Sequence, residues 1–198
     1  MLLTDGELQE ESSEILPDPM DRLQSPAIEI VFQDSHLVVV AKPAGLLSVP
    51  GKTEQNSLLE WARAQWPGGS GPLLVHRLDM DTSGLVLIAL DKVIHKKLQK
   101  QFINRSVGKK YVALVAGSVR RRTGREEGVI SLPIRVDLDD RPRQMVCEQH
   151  GRQAETRWQL LEETRLATGQ VASRLLLQPV TGRTHQLRVH LALSLIHI

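Results

Sequence analysis

The chain has 198 residues, of which 41% are hydrophobic and 24% charged, with a net charge of +2. That size and balance suit a soluble globular protein with a proper core and exclude a disordered chain. No apolar run approaches the ~20 residues needed to cross a bilayer, the acidic start lacks the basic head of a secretory leader, and the single Cys147 excludes an internal disulfide or a cysteine-rich zinc site.

Residues 1–26 carry seven acids against one base, Arg22, and are punctuated by Pro17, Pro19 and Pro26. They predict a flexible acidic arm. The remainder, 27–198, reads as one domain with 24 basic and 16 acidic residues, net +8, a balance that suits a polyanionic partner. Ile28–Gln33 and His36–Ala41 predict a hairpin about Asp34-Ser35. A loop follows through Lys42-Pro43-Ala44-Gly45 and Ser48-Val49-Pro50-Gly51. Ser57–Trp66 has helical spacing and stops at Pro67-Gly68-Gly69.

Gly84–Leu90 is a strand, and Asp91 is placed to cap a helix reaching about Asn104, with Val93, Ile94, Leu98 and Phe102 inward and Lys92, Lys96, Lys97 and Lys100 solvated. Lys109–Val115 predicts a strand, Arg120-Arg121-Arg122 a basic loop. Further strands are expected at Gly128–Leu132, Gln144–Cys147, Ala154–Leu161 and Ser173–Pro179. Thr181-Gly182-Arg183 is a tight turn before a helix over His185–Leu193. Trp61, Trp66 and Trp158 fall at periodic apolar positions and are expected in the core. Strands outnumber helices and most links are short, so the fold class is α+β with a mixed, largely antiparallel sheet and flanking helices. Leu193–Ile198 has no cap or polar tail, which predicts a chain cut short within its last helix; a natural short helix docking by its apolar end is the alternative.

The stretch His76-Arg77-Leu78-Asp79-Met80-Asp81-Thr82-Ser83-Gly84 sets a basic pair and a carboxylate against a buried-looking strand. An ionised carboxylate near guanidinium groups can act as a nucleophile or base on a phosphate-bearing substrate. Asp79 and Asp81 also permit a second reading, a carboxylate pair for Mg²⁺, but no phosphate-cradling loop or clustered third acid accompanies them.

The same stretch resembles the signature of the RluA-type RNA pseudouridine synthases. Three more blocks match in order: Val40–Gly51, Lys109–Ala113 and Val180–Leu191. The segment from Leu132 to Cys147 resembles the namesake subgroup, which modifies both large-subunit ribosomal RNA and a tRNA anticodon stem-loop. The resemblance implies the pseudouridine synthase catalytic fold and conversion of uridine to pseudouridine in RNA, with no metal, redox carrier or nucleotide cofactor. Uracil must be extruded from the folded RNA before its sugar is reached.

By this resemblance Asp79 is the catalytic carboxylate; attack at C1′, addition at C6 and removal of the 2′ proton are all open to it. Arg188 is its basic partner, and Tyr111, the only tyrosine, stacks on uracil and serves in proton transfer. Arg77 fills the gap left by the flipped base, with His76 beside it. Lys42 is expected at a phosphate, as are Arg183 and Thr184 at a helix start, with Gln186 facing substrate next to Arg188. Thr82 and Ser83 are expected to shape a turn. The implied partners are a tRNA anticodon stem-loop, large-subunit ribosomal RNA or both, with no membrane, and a cytoplasmic monomer is expected. The rival class is a non-catalytic RNA-binding module on the same fold.

Overall fold

The computed structural model describes residues 27–52, 56–68 and 74–194, so the acidic arm and the last four residues lie outside the described residues. The chain falls into two compact units, Met1–Lys92 and Val93–Ile198.

In the first unit, β1 (Glu29–Gln33), β2 (Leu37–Lys42) and β3 (Gly84–Ala89) form an antiparallel sheet in that order. The expected hairpin is closed by Asp34, whose Oδ1 accepts from the amides of His36 and Leu37 at 2.7 and 2.8 Å; such a side chain does the work of a backbone turn. Along β2 the two-residue period buries Val38, Val40 and then Lys42. These pair across β3 with Ile88, Val86 and Gly84. Helix α1 (Leu58–Gln65) starts where expected, its Ser57 cap accepting from the Glu60 amide. Trp61 and Trp66 are half-buried rather than in the core, and meet edge to face with ring centres 5.7 Å apart.

Helix α2 (Lys92–Ile103) begins at the boundary, directly after Asp91. The second unit continues with β4 (Tyr111–Ala116), α3 (Val119–Thr123), β5 (Glu127–Ser131), β6 (Ile134–Val136), β7 (Gln144–Val146), β8 (Glu155–Arg165), β9 (Val171–Pro179) and α4 (Gln186–Ser194). Its main sheet has the order β4-β9-β8-β5, and β6 and β7 form a separate ribbon. Every strand ladder among the described residues is antiparallel, and an isolated bridge between Leu47 and Ser57 is parallel. This is the α+β class expected.

Arg120–Arg122 belong not to a loop but to the one-turn helix α3. Ser118 caps it by accepting from the Arg121 amide, and Gly124 ends it in the left-handed region at φ 67°. Strands β8 and β9 outrun the expected boundaries, their ladder continuing over solvated residues where Glu162 and Arg174 pair at 3.1 Å. The core gathers Val115, Val119, Ile130, Trp158, Leu175, Leu177 and Leu191, with Tyr111 and Leu187 packed against it. Trp158 is therefore a core residue, as expected. Its indole lies over Gly128, opposite it in register, where a Cβ would meet the ring at 3.0 Å.

Helix α4 is pinned by a buried, directional set of hydrogen bonds. The Glu155 amide donates to Thr181 Oγ1, whose hydroxyl donates to Gln186 Oε1 at 2.7 Å. Gln186 Nε2 donates to the Glu155 carbonyl and to Thr156 Oγ1, both at 2.9 Å. The Leu132 carbonyl can only accept, so His190 Nε2 carries a proton and donates to it at 3.0 Å, and the Thr156 hydroxyl finds the acceptor for its hydrogen in His190 Nδ1 at 2.9 Å. Each donor is used once, which assigns His190 as neutral and Nε2-protonated.

Burial pushes the His190 pKa below its ordinary 6.5, against the Leu132 bond that favours the charged form. The unfolded chain therefore binds the proton more readily, so this residue's stability contribution is complete above pH 6.5 and declines as pH falls from there towards the folded-state value. His190→Phe should cost about 1–3 kcal/mol at pH 7.5 by stranding buried polar groups. The gap in urea midpoint between wild type and variant should narrow as pH falls below 6.5, whereas a gap independent of pH would refute the neutral assignment.

Candidate active site

The HRLDMD segment is held in the first unit by two sets of contacts. Upstream, Leu74 bridges to Ile88, and the Val75 amide donates to the Leu87 carbonyl at 3.1 Å. The ring of His76 takes the next position: the Leu87 amide donates to its Nε2 at 3.2 Å. His76 is thus committed through that nitrogen to β3, which places it as a support for the loop. Arg77 turns to solvent and Leu78 turns inward. Among the described residues Arg77 makes no ion pair.

The second set comes from the 42–48 loop and brackets Asp79. On one side Ser48 Oγ, nearly buried, donates to the Leu78 carbonyl at 2.6 Å and accepts from the Leu78 amide at 3.0 Å. On the other side the Met80 carbonyl receives two donors, the Gly45 amide at 2.9 Å and Lys42 Nζ at 2.9 Å. Gly45 reaches this carbonyl from φ +82°, where a Cβ would meet nothing within 4 Å. Backbone conformation rather than space therefore calls for glycine there. Asp79 itself is half-buried, and its carbonyl accepts from the Thr82 amide at 3.1 Å. The turn expected at Thr82 and Ser83 is present, but the Thr82 backbone closes it rather than a hydroxyl.

Lys42, expected at a phosphate, is a correction. It is 1% exposed, and Nζ gives its three donors to the carbonyls of Pro43, Leu46 and Met80 at 2.8, 2.6 and 2.9 Å. The ammonium is saturated and closed to a ligand. Burial pushes its pKa below the usual lysine value, while the charges of Asp81 and Asp79 pull it back up. Lys42 is thus a buried ammonium that ties the loop together and feels the charges of Asp81 and Asp79. The signal was available: continuing the alternation of Val38 and Val40 by one step places Lys42 on the core face.

The second unit carries the other expected residues. Tyr111 opens edge strand β4 and packs, half-buried, against the core cluster that also receives Leu187 and Leu191 of α4. Arg188 follows Leu187 and is exposed. Gln186 is a further correction: 4% exposed, with Oε1 and Nε2 each making two bonds, it pins α4 and has no capacity left for substrate. The Arg183 amide, expected at a phosphate, is likewise taken by Gln186 Oε1 at 3.0 Å, and Arg183 Nε donates to the Gln153 carbonyl. Thr184 is exposed and open to a ligand. Ser48 and Gly45, which fix the loop beside Asp79, were missed because nothing local marks a hydroxyl that bonds 30 residues away. Among the described residues no three His, Cys, Asp or Glu side chains are grouped as a metal site would need.

The sequence profile of the RNA pseudouridylate synthase family matches residues 36–193. The chain is 42% identical over 166 residues to the dual-specificity RNA pseudouridine synthase RluA of Haemophilus ducreyi, covering 84% of this chain and 72% of that protein. It is 41% identical over 170 residues to the RluA protein of Escherichia coli K12, covering 85% and 73%. Among solved structures it is similar to human RNA pseudouridylate synthase domain containing 1, with a TM-score of 0.69 at 30% identity, and to human domain containing 4, with 0.63 at 31%. In both cases 84% of this chain is covered, and the chain spans 64% of the human one.

The bracket makes a graded expectation for stability. Ser48→Ala strands the buried amide and carbonyl of Leu78 and should cost about 2–3 kcal/mol. Gly45→Ala forces a side chain into the left-handed region and should cost about 1–2 kcal/mol. Denaturant melts measure both, and an unchanged midpoint for Ser48→Ala would show that the hydroxyl does not hold the loop.

Proposed function

The chain belongs to the RNA pseudouridylate synthase family, and on that premise we propose that it isomerises particular uridines of structured RNA to pseudouridine without metal or diffusible cofactor. The observation that carries this reading is the two-sided bracket, which fixes the backbone before and after Asp79 and so limits where its carboxylate can aim.

In this reading the flipped uridine offers its sugar and base to ionised Asp79. The C1′–N1 bond breaks, the uracil turns, a C1′–C5 bond forms, C5 loses its proton and N1 gains one. Tyr111 stacks on the uracil and serves in the proton transfer, a role supported by the match of its block to the family and by its half-buried place at the start of edge strand β4. Arg188 is the basic partner of the carboxylate, supported by its exposure on a helix whose neighbouring residues Gln186 and His190 are pinned by buried hydrogen bonds. Arg77, exposed and unpaired among the described residues, fills the space left in the RNA stack, and Thr184 contacts a phosphate. Residues 27–198 act as one catalytic domain.

The RNA is a tRNA anticodon stem-loop, large-subunit ribosomal RNA or both, supported by the similarity to dual-specificity relatives and by the Leu132–Cys147 segment. The protein works as a cytoplasmic monomer. No helix among the described residues is long and apolar enough to cross a membrane.

Release of tritium from 5-tritiated uridine in a stem-loop tests the reaction. Asp79→Asn should lower kcat at least about a thousandfold while RNA affinity changes less than about threefold. EDTA should leave the wild-type rate unchanged. RNA binding by the wild type without tritium release would instead identify a binding module, and equal release by Asp79→Asn would remove the residue from the chemistry.

A further inference from the structure

From Val93 to Lys110 the sequence contains six Lys or Arg residues and no Asp or Glu. Lys96, Lys97 and Lys100 on α2 fall within about 100° of helical arc, and all three are exposed. Arg105 and Lys110 are exposed as well, and none of these five cations makes an ion pair among the described residues. Arg105 sits just beyond α2 at φ 58°, a conformation a bulky side chain rarely adopts. The Ser106 amide donates to the Gln101 carbonyl at 3.0 Å, so this is the left-handed residue that closes α2 and turns the chain out of it.

The cationic run does not end with α2. Lys109 Nζ donates to the Thr181 carbonyl at 3.4 Å and stands 3.7 Å from where a Cβ on Gly182 would lie. Within the second unit, the charges leaving α2 therefore reach the Thr181–Arg183 turn that leads into α4.

We propose that Lys96, Lys97, Lys100 and Arg105 form a docking track for the phosphate backbone of the RNA substrate, continued by Lys109 to the turn before α4. The proposal rests on the reading of the chain as an RNA-modifying enzyme and adds a surface that binds RNA without touching the reacting nucleotide. Lys96 and Lys100, four residues apart, are separated by about 6 Å along the helix axis, a step comparable to the spacing of neighbouring phosphates on one strand. Cations gathered without counter-ions repel one another. Burial first and the charge of Arg105 second push the Lys109 ammonium below its ordinary pKa, and a polyanion relieves that repulsion.

The arginines of α3 make the contrast. Arg120 is paired to Glu126 at 2.7 Å, and Arg121 and Arg122 line a cleft of about 710 Å³ shared with Glu163. An RNA strand there would first have to displace resident acids.

The experiment compares the full chain with the triple variant Lys96→Gln, Lys97→Gln, Lys100→Gln, whose exposed positions favour retained folding, checked by thermal melting. Binding of a tRNA anticodon stem-loop is measured across salt concentrations. The variant should bind about ten- to a hundredfold more weakly at low salt, and its log–log salt slope should be shallower by about two to three units, near 0.7–0.9 per lost contact. Its kcat at saturating RNA should be unchanged, so the loss sits in KM.

Equal affinity and equal slope would overturn the proposal. So would a lowered kcat with unchanged affinity, or loss of binding to anionic phospholipid vesicles with RNA binding intact, which would make the track a membrane contact. Binding is read without turnover, so absence of tritium release by the wild type counts against the reaction and leaves this comparison decisive.

Discussion

Leu78 gives both its amide and its carbonyl to the hydroxyl of Ser48, and the carbonyl of Met80 takes two donors from the same loop. The residue between them is Asp79. A carboxylate on an unrestrained loop would spend most of its time misdirected, and ordering it at the moment of reaction would cost backbone entropy of about 1–2 kcal/mol per residue. Here the ordering is done on folding, by buried bonds that no substrate has to form. The motif's polar residues are then only half of the device; the other half, Lys42, Gly45 and Ser48, lies 30 or more residues upstream.

The second unit solves a similar problem with different chemistry. Helix α4 carries Leu187 and Leu191 into an apolar cluster, and apolar contact alone tolerates a helix rotated or slid by part of a turn. The Thr181–Gln186–Thr156–His190 chain removes that latitude, because each hydrogen has one acceptor and a shifted helix would leave several buried groups unmatched. Arg188 is exposed on a helix whose azimuth is thereby set by the residues two before and two after it. Precision in an exposed side chain is achieved by burying its neighbours.

Where the sequence could be read and where it could not follows the range of the interactions. Local signals served well: the Asp34 turn, the helix starting at Ser57 and the periodic apolar position of Trp158 all depend on near neighbours or simple periodicity. The motif blocks were enough to place Asp79, Tyr111 and Arg188 in a family. Lys42, Gln186 and the Arg183 amide were assigned to substrate because a polar residue in a motif suggests contact with a ligand. Lys42 and Gln186 are tied across the fold (Met80 is 38 residues from Lys42, and Thr156 is 30 from Gln186), and only the alternation along β2 hinted locally at the burial of Lys42; the Arg183 amide is taken by Gln186 three residues on. α3 shows a different failure: Ser118 and Gly124 frame a helix by the usual capping rules, but three consecutive arginines drew the reading towards charge.

The three acceptors around Lys42 also say something about which residues that position can tolerate. An ammonium directs three hydrogens as a tripod from a single atom, and Pro43, Leu46 and Met80 present their oxygens to one point. Guanidinium is a flat fork with its donors spread over three nitrogens, so arginine would keep the charge and lose the convergence. The pocket selects a geometry of cation, and in such a place the most conservative exchange by charge is a drastic one by shape.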